Sequence, residues 1–407
     1  MKKCVLVFGT FDSKGREFAF MINEIKRRDV EVMTMDVGVF APVGDFLIDI
    51  PAESVAEKGG KSLESLRAQA DRGAAMKVMC SGAREIVTQL CKSGRINGVI
   101  SMGGGGGTSI AATAMQALPI GFPKVCITTL ASGETSEYVG TKDVVLFPAI
   151  VDICGINHFS RVIISRAVGA VCGMMELEPP SDTNDKPTVF LSMFGNSTEG
   201  VEKCAERLRS TGCEPMIFHA TGGGGRTMEE LIKGGYCVGV LDITTTEWAD
   251  ELCGGILSAG PERLDGPAIA GVPHLIVPGC LDMVNFGSFS TVPQHYKDAG
   301  RRFYEWNPMV TLMRTTVDEN RKLGKILAEK ANTTKYPVAF LLPTRGLSIL
   351  DGDGQCFCDR AADEALFCSI KEHLRPDIPV YTVDANINDD AFADKAVKIM
   401  LGLMNMA

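Results

Sequence analysis

The residues of this chain best suited to chemistry are a run of five glycines followed by two hydroxyl residues, at positions 103–109. The run lies between a short apolar segment typical of a strand and an Ala-rich segment typical of a helix. Backbone N–H groups without side chains can wrap a phosphate, and a helix N-terminus adds partial positive charge. The pattern matches neither a Walker loop nor a dinucleotide fingerprint, so it indicates either anion capture or a structural turn. The residues are Gly103, Gly104, Gly105, Gly106, Gly107, Thr108 and Ser109.

A second glycine-bearing turn follows the first apolar run of the chain and contains Gly9, Thr10, Asp12, Ser13 and Lys14. Asp12 is placed either to cap the following helix or to accept hydrogen bonds from a ribose or adenine group. Lys14 is placed either to contact a phosphate or to face solvent. We predict that this turn and the five-glycine turn bind the same ligand.

A third loop, at residues 128–134, again places small polar residues, including Ser132 and Gly133, after a strand. Loops of this kind converge in a doubly wound sheet near the point where the strand order reverses. The three loops together predict a site for a phosphorylated ligand.

The second half of the chain repeats the glycine theme at residues 219–226. Its Gly223 and Gly224 precede Arg226, whose planar fork suits a carboxylate or phosphate. His219 is either a general acid or base, since its free pKa lies near neutrality, or a hydrogen-bonded residue at a strand end. We predict that this segment binds a second anionic group.

Further polar residues follow three later strands. Thr245 and Glu247 suit metal binding, polyol orientation or helix capping. Asp282 and Asn285 stand among apolar residues, where unpaired polar groups are costly, so their partners are either substrate or backbone. Arg345 lies on another glycine turn. We predict His219, Asp282 and Arg345 as catalytic and the other residues of this half as substrate-binding, with no protein-bound metal.

The segments that must position these residues alternate between short apolar runs and amphipathic runs, a pattern of βαβ units with parallel strands. We predict an α/β fold of two Rossmann-like doubly wound domains with mainly parallel sheets and an interdomain cleft. The predicted domains are residues 1–178, which bind nucleotide, and 188–407, joined by a Pro-rich, polar linker at 179–187. Motif pairs in the same order, such as 8–15 with 194–200, suggest two related halves.

Length and composition limit the number of domains, the kinds of partner and the cellular location that we expect. With 407 residues, two domains are expected. The net charge of -9 disfavours nucleic acid and anionic lipid as partners. No apolar run approaches the roughly 20 residues that span a bilayer, and no signal segment precedes the first strand, so we predict a cytoplasmic location. The 14 cysteines are scattered, which is typical of free thiols in a reducing compartment.

Taken together, these motifs resemble the tomato mosaic virus resistance protein-like ATP-binding family, also known as uncharacterised protein family 0261. The resemblance covers almost the whole chain. Where the family usually has Asp-Thr-Lys in the first turn, this chain has Asp12-Ser13-Lys14, which preserves the hydroxyl. The matching segments are residues 9–14, 102–109, 129–134, 140–143, 219–226, 241–247, 258–261, 281–287, 308–316 and 345–346.

The resemblance implies an N-terminal Rossmann-like domain that binds ATP, a second α/β domain and self-association as a homodimer or larger homo-oligomer. The family also includes a plant member that blocks viral RNA replication. That role depends on a partner surface, so we do not expect it of this chain. We therefore predict an ATP-dependent enzyme acting on a small polar or carboxylate metabolite in the interdomain cleft, with Mg²⁺ accompanying the nucleotide. The alternatives are a non-catalytic nucleotide-binding regulator and a sugar-nucleotide transferase or epimerase.

Overall fold

The computed structural model describes residues 2–178 and 186–405. The chain divides into two compact units, Met1–Ser181 and Asp182–Ala407, and each is described by itself. Of the predicted linker, residues 179–185 lie outside the described residues. Among the described helices, none is both long enough and apolar enough to cross a bilayer.

The N-terminal unit contains one five-stranded parallel sheet with the strand order β2-β1-β3-β4-β5. Its strands are β1 (Cys4–Gly9), β2 (Glu31–Asp36), β3 (Gly98–Gly103), β4 (Lys124–Thr128) and β5 (Val145–Pro148). Its helices are α1 (Phe11–Lys26), α2 (Ala52–Lys58), α3 (Leu63–Gln69), α4 (Arg72–Lys92), α5 (Gly105–Gln116), α6 (Ser136–Val139) and α7 (His158–Glu176). This order confirms the predicted doubly wound α/β class.

Helices cover both faces of this sheet, which explains why its central strands are apolar throughout. Along β1, Leu6 and Phe8 point into one core, whereas Val5 and Val7 point into the other. Helices α4 and α5 pack together, as do α1 and α7. Since α1 follows β1 and α5 follows β3, the two chain segments leave neighbouring strands toward opposite faces. This divergence opens a crevice at the carboxyl ends of β1 and β3.

The C-terminal unit is built on a six-stranded parallel sheet with the order β14-β13-β9-β8-β6-β7. An antiparallel sheet of order β10-β12-β11 is inserted between β9 and β13. The strands are β6 (Thr188–Met193), β7 (Glu214–His219), β8 (Gly239–Thr244), β9 (His274–Gly279), β10 (Met283–Phe286), β11 (Phe303–Asn307), β12 (Val310–Arg314), β13 (Val338–Pro343) and β14 (Val380–Val383).

The helices of this unit cover both faces of its parallel sheet. They are α8 (Thr198–Ser210), α9 (Gly223–Lys233), α10 (Glu247–Cys253), α11 (Gly266–Ala270), α12 (Gln294–Asp298), α13 (Val317–Asn332), α14 (Arg360–His373) and α15 (Asp390–Asn405). In chain order, the first five parallel strands of this unit are arranged as in the N-terminal sheet: β7-β6-β8-β9-β13 parallels β2-β1-β3-β4-β5. The shared order supports the two related halves suggested by the sequence.

Candidate functional site

A cavity of about 700 Å³ opens at the carboxyl ends of β1 and β3. The turn between β1 and α1 lines one side and the glycine turn before α5 lines another. The loop after β2 and the segment from α3 to α4 complete the walls. The structure therefore brings together the first two glycine-bearing turns, which the sequence assigned to one ligand.

In the β1–α1 turn, Thr10, Asp12, Ser13 and Lys14 all line the cavity. Asp12 does not cap α1, because the start of that helix has no side-chain cap hydrogen bond. Instead, its Oδ2 accepts from the backbone N of Val39 and of Phe40, both at 3.1 Å. The carboxylate thus fixes the loop that follows β2 against this turn.

Two other residues of this turn have structural roles. Gly9 does not line the cavity: a Cβ built on it would lie 2.0 Å from Cζ of Phe18, so packing requires glycine there. Lys14 interrupts the helical geometry of α1 with φ -130° and ψ 21°. Its Nζ donates to the carbonyl of Ile153. The lysine therefore lines the cavity while it already holds one protein partner.

The glycine turn leaves backbone donors open at the N-terminus of α5. The first helical hydrogen bond runs from Thr108 N to Gly104 O at 2.9 Å, and no side chain caps the helix. The N–H groups of the three preceding glycines therefore have no partner within the helix. A Cβ added to Gly105 would meet no atom within 4 Å, whereas one on Gly103 would lie 2.7 Å from Cα of Gly107. Glycine at position 103 is therefore required for close packing of the turn, whereas glycine at position 105 borders open space.

Six residues that the sequence assigned to this ligand do not line the cavity: Gly9, Gly103, Thr108, Ser109, Ser132 and Gly133. The buried Thr108 hydroxyl lies 2.7 Å from that of Thr128 and joins α5 to the end of β4. Ser109 donates to the carbonyl of Gly105 at 2.9 Å. Ser132 and Gly133 are exposed in a separate turn. The third loop therefore does not join the other two at this cavity.

Arg72 and Phe40 are among the cavity residues that sequence reasoning missed. Nη2 of Arg72 lies 3.6 Å from the position of a Cβ on Gly106, so the guanidinium stands over the glycine turn. Within residues 2–178 and 186–405, its side chain has neither a hydrogen bond nor an ion pair. Phe40 is 67% exposed beside the same cavity. The cavity therefore presents an unpaired cation and a free aromatic ring.

Asp36, at the end of β2, accepts hydrogen bonds from two segments that border the cavity. Its Oδ1 accepts from Phe11 N at 3.1 Å and from Gly38 N at 2.9 Å. Burial raises the pKa of this carboxyl, although both N–H donors favour its charged form. Asp36 therefore ties the β1–α1 turn to the loop after β2 beneath the cavity.

The glycine turn of the C-terminal unit, which follows β7, is contacted by an internal carboxylate. Oε1 of Glu247 accepts from Gly222 N at 2.8 Å, just before α9. A Cβ added to Gly225 would lie 2.3 Å from both carboxylate oxygens of Glu247. Glu247, which the sequence predicts to bind substrate, is buried and accepts hydrogen bonds from within the protein, beside the turn where Gly223 and Gly224 are predicted to hold an anion.

Glu247 belongs to a buried network centred on Arg263, a residue that sequence reasoning did not single out. Arg263 Nε donates to Glu247 at 2.6 Å, and its two other nitrogens donate to Asp242, both at 2.6 Å. Nη1 also donates to Glu229 at 3.1 Å. Burial raises the pKa of Glu247, although Arg263 opposes that shift. This network is an internal structural element of the unit.

The remaining residues of this half that the sequence predicts to bind substrate have partners within the protein. Arg226 is exposed, and its Nη1 donates to Ser258 O at 3.1 Å. The buried Thr245 hydroxyl donates to Val277 O at 3.1 Å. Nδ2 of Asn285 donates to Asp250 at 2.8 Å. Each of these side chains therefore already has a protein partner.

The predicted catalytic residues are not joined to one another. His219 is exposed at the end of β7. Asp282 is fully buried, with Oδ2 accepting from Ser348 Oγ at 2.8 Å, and burial raises its pKa to about 6. Arg345 is exposed, and its Nε donates to Asp384 at 2.6 Å. Among the described residues, no hydrogen bond connects any two of His219, Asp282 and Arg345.

Fold and site together define a two-domain α/β protein with two related doubly wound sheets, the first of which carries a glycine-lined cavity at its switch point. The chain belongs to uncharacterised protein family UPF0261. Models of the family's N-terminal and C-terminal domains match residues 3–180 and 186–404. The chain is 45% identical to a UPF0261 protein of Clostridium tetani (strain Massachusetts / E88). The alignment covers 99% of this chain and 100% of the relative.

More distant similarities reach a plant protein and solved structures. The ToMV resistance protein Tm-1(GCR237) of Solanum lycopersicum is 38% identical over 98% of this chain and 55% of its own length. The crystal structure of Acinetobacter baumannii MurG matches over 99% of this chain and 100% of its own, with 12% identity and a TM-score of 0.22. A score this low supports no inference about this chain.

Proposed function

We propose that the cavity at the ends of β1 and β3 binds a nucleotide, with ATP as the first choice. The observation that carries the proposal is the placement of the unpaired Arg72 guanidinium over the open glycine turn at the N-terminus of α5. Unpaired N–H donors, a helix N-terminus and a guanidinium form a combination that favours phosphate over neutral ligands. Arg72 and the glycines therefore mark the phosphate end of the site.

The rest of the cavity suits a base and a sugar. Buried Leu66 and Met79 contribute an apolar wall, and exposed Phe40 offers a ring on which a base can stack. The volume of about 700 Å³ lies within the range of small-molecule sites. A nucleotide uses both ends of such a cavity, whereas inorganic phosphate uses one.

The carboxylates that line the cavity fit a magnesium ion accompanying the phosphates. Mg²⁺ usually binds proteins through one or two carboxylates together with phosphate oxygens and water. Asp12 and Asp71 line the cavity, and each uses one oxygen to accept from backbone N–H groups. These two side chains would hold the ion, which would neutralise charge on the phosphates.

We further propose that the protein is an ATP-dependent enzyme acting on a small polar or carboxylate metabolite. A preorganised glycine turn and a cation supply positioning and electrostatic stabilisation, which account for most of the catalysis of phosphoryl transfer. A second candidate, a nucleotide-binding regulator without turnover, is favoured because no hydrogen bond among the described residues joins His219, Asp282 and Arg345 to one another.

Calorimetric titration with ATP, a UDP-sugar and NAD, each with Mg²⁺, tests the ligand class. ATP is expected to bind, and the Arg72→Gln variant is expected to bind it about tenfold more weakly, since a hydrogen bond to a charged group contributes about 1.5–3 kcal/mol. Lys92→Gln, an exposed change at the other end of α4, is the matched control. Absence of ATP binding would refute the proposal. Release of ADP only when a metabolite mixture is added would favour the enzyme over the regulator.

A further inference from the structure

A second, shallower groove lies on the other side of the glycine turn, between α4 and α5. It encloses about 680 Å³. Met76, Gly105 and Gly106 line both the groove and the nucleotide cavity described above. Two glycines without side chains are therefore part of the boundary between the two spaces.

The groove is lined by cations whose charges are not neutralised. Lys77 and Arg84 are exposed on α4, and neither side chain has a hydrogen bond or ion pair within the described parts of the chain. Residues 77, 81 and 84 follow the spacing that places side chains on one helix face, so Ser81 lies between the two cations. The Ser81 hydroxyl likewise has no hydrogen bond within the described parts of the chain. One face of α4 thus offers two charges and a hydroxyl donor.

Hydroxyl groups from α5 complete the opposite wall. Ser109 and Thr113 line the groove, and each donates its own proton to a carbonyl one turn earlier, at 2.9 and 2.8 Å. Two acidic side chains, Glu134 and Glu137, line a neighbouring depression that shares Ser109 and Thr113 with the groove, but they do not line the groove itself. Glu85 on α4 accepts from Gln89 at 2.9 Å and does not line the groove. The lining of the groove therefore carries net positive charge.

We propose that this groove binds a small anionic second ligand, bearing carboxylate or phosphate groups, beside the terminal phosphate of the nucleotide. Lys77 and Arg84 would supply the charge-assisted hydrogen bonds, and Ser81 would add a neutral donor. The assignment as a co-ligand site rests on the proposed nucleotide function, whereas anion binding by the groove does not. In this proposal the nucleotide and the second anion both bind to the N-terminal unit, on the two sides of Gly105 and Gly106.

The test is calorimetric titration of succinate and of inorganic phosphate, at constant ionic strength, into protein saturated with Mg²⁺ and the non-hydrolysable analogue AMP-PNP. The variant is the double substitution Lys77→Gln and Arg84→Gln. The control is Lys92→Gln with Arg95→Gln, which removes two charges from exposed residues outside the groove. Both variants change exposed side chains and are expected to fold normally.

We expect the groove variant to bind the preferred anion at least about tenfold more weakly, since each lost charge-assisted hydrogen bond costs about 1.5–3 kcal/mol, while its affinity for AMP-PNP stays within about twofold. Preference for succinate identifies a carboxylate ligand, and preference for phosphate a phosphorylated one. The proposal is overturned if neither anion binds, or if both variants weaken binding equally. If AMP-PNP does not bind but the nucleotide-free protein shows the Lys77- and Arg84-dependent affinity, the co-ligand role fails together with the proposed function and only an anion site remains.

Discussion

Oε1 of Glu247 accepts a hydrogen bond from the backbone N of Gly222 at 2.8 Å, at the start of the helix that follows the second glycine turn. The glycine turn of the N-terminal unit, which follows β3, faces an open cavity instead. A carboxylate of the chain itself thus contacts a helix N-terminus in one half, where a phosphate is proposed to do so in the other. The two halves share a strand order, but their glycine turns follow different strands of it, β3 in the first half and β7, the counterpart of β2, in the second.

Replacing Glu247 with alanine is expected to destabilise the C-terminal unit by about 1–3 kcal/mol, because it leaves two buried donors, Arg263 Nε and Gly222 N, without an acceptor. Urea denaturation followed by circular dichroism measures this change. Exposed Glu206, changed to alanine as a control, is expected to alter stability by no more than about 0.5 kcal/mol. Equal stability of the two variants would contradict the role assigned to Glu247.

The sequence predicted the fold class and the meeting of two glycine turns because both depend on local pattern. Apolar runs and turns mark the βαβ units, and parallel strands bring their carboxyl ends to one edge. The roles of Gly9 and Gly103 could not be predicted, since tertiary contacts with Phe18 and Gly107 decide them. A glycine in a turn indicates close approach without revealing what approaches.

The sequence did not reveal the roles of Arg72, Glu247 and Arg263, because the partners of these residues are distant in sequence. Arg72 reaches the glycine turn from the start of α4, more than 30 positions earlier, and no periodicity signals that approach. The buried contacts of Glu247 could not be predicted, because an acidic residue after a strand can face either a ligand or an internal partner and the sequence does not distinguish the two. Arg263, 16 positions after Glu247, carried no motif at all.

Gly105→Val is expected to weaken ATP binding at least about tenfold while leaving stability nearly unchanged. A side chain there meets no protein atom within 4 Å, so it occupies space next to the unpaired N–H groups instead of disturbing the core. Gly173→Val, on the surface of α7, is a matched control in which an added Cβ also meets nothing. Titration calorimetry and thermal denaturation measure the two effects. Normal ATP affinity in Gly105→Val would place the phosphates elsewhere.

Gly103→Ala is expected to produce the opposite pattern, a loss of stability of about 1–3 kcal/mol, because its Cβ would lie 2.7 Å from backbone Cα of Gly107. Thermal and urea denaturation measure this change. Stability equal to that of the unmodified protein would show that the turn relaxes to accept a methyl group, and would contradict the packing role assigned to Gly103.

Phe40→Ala is expected to weaken ATP binding by about 1–3 kcal/mol, the contribution typical of stacking between a base and an aromatic ring. The ring is 67% exposed, so its removal leaves no cavity in the core. Inorganic triphosphate, which lacks a base, is expected to bind the variant and the unmodified protein equally. Phe159→Ala, another exposed phenylalanine, serves as the control. Equal weakening of ATP and triphosphate would mean that Phe40 does not contact the base.

Asp250 provides a pH-dependent contribution to the stability of the C-terminal unit. Its Oδ1 accepts from the backbone N of Leu257 at 3.2 Å and of Asn285 at 3.1 Å. Oδ2 accepts from Nδ2 of Asn285 at 2.8 Å, while Oδ1 of Asn285 is buried without a partner. Burial raises the pKa of Asp250 to about 7. Burial therefore favours the neutral form of this carboxyl, and Oδ1 of Asn285 is available to accept a hydrogen bond from a neutral group at this position.

Asp250→Asn is accordingly expected to stabilise the protein increasingly as the pH rises from 5 to 8. Because the folded pKa is raised above the unfolded value, the carboxyl contributes stability below its unfolded pKa of about 3.9 and loses it as the pH passes through about 7. The amide stays neutral and can donate to Asn285 Oδ1 after that side chain flips. The gain between pH 4 and pH 8 should be on the order of 4 kcal/mol, since the two pKa values differ by about 3 units and each unit corresponds to about 1.4 kcal/mol. Urea denaturation at several pH values measures it, with Glu206→Gln as the exposed control; a pH-independent difference would contradict the titration of Asp250.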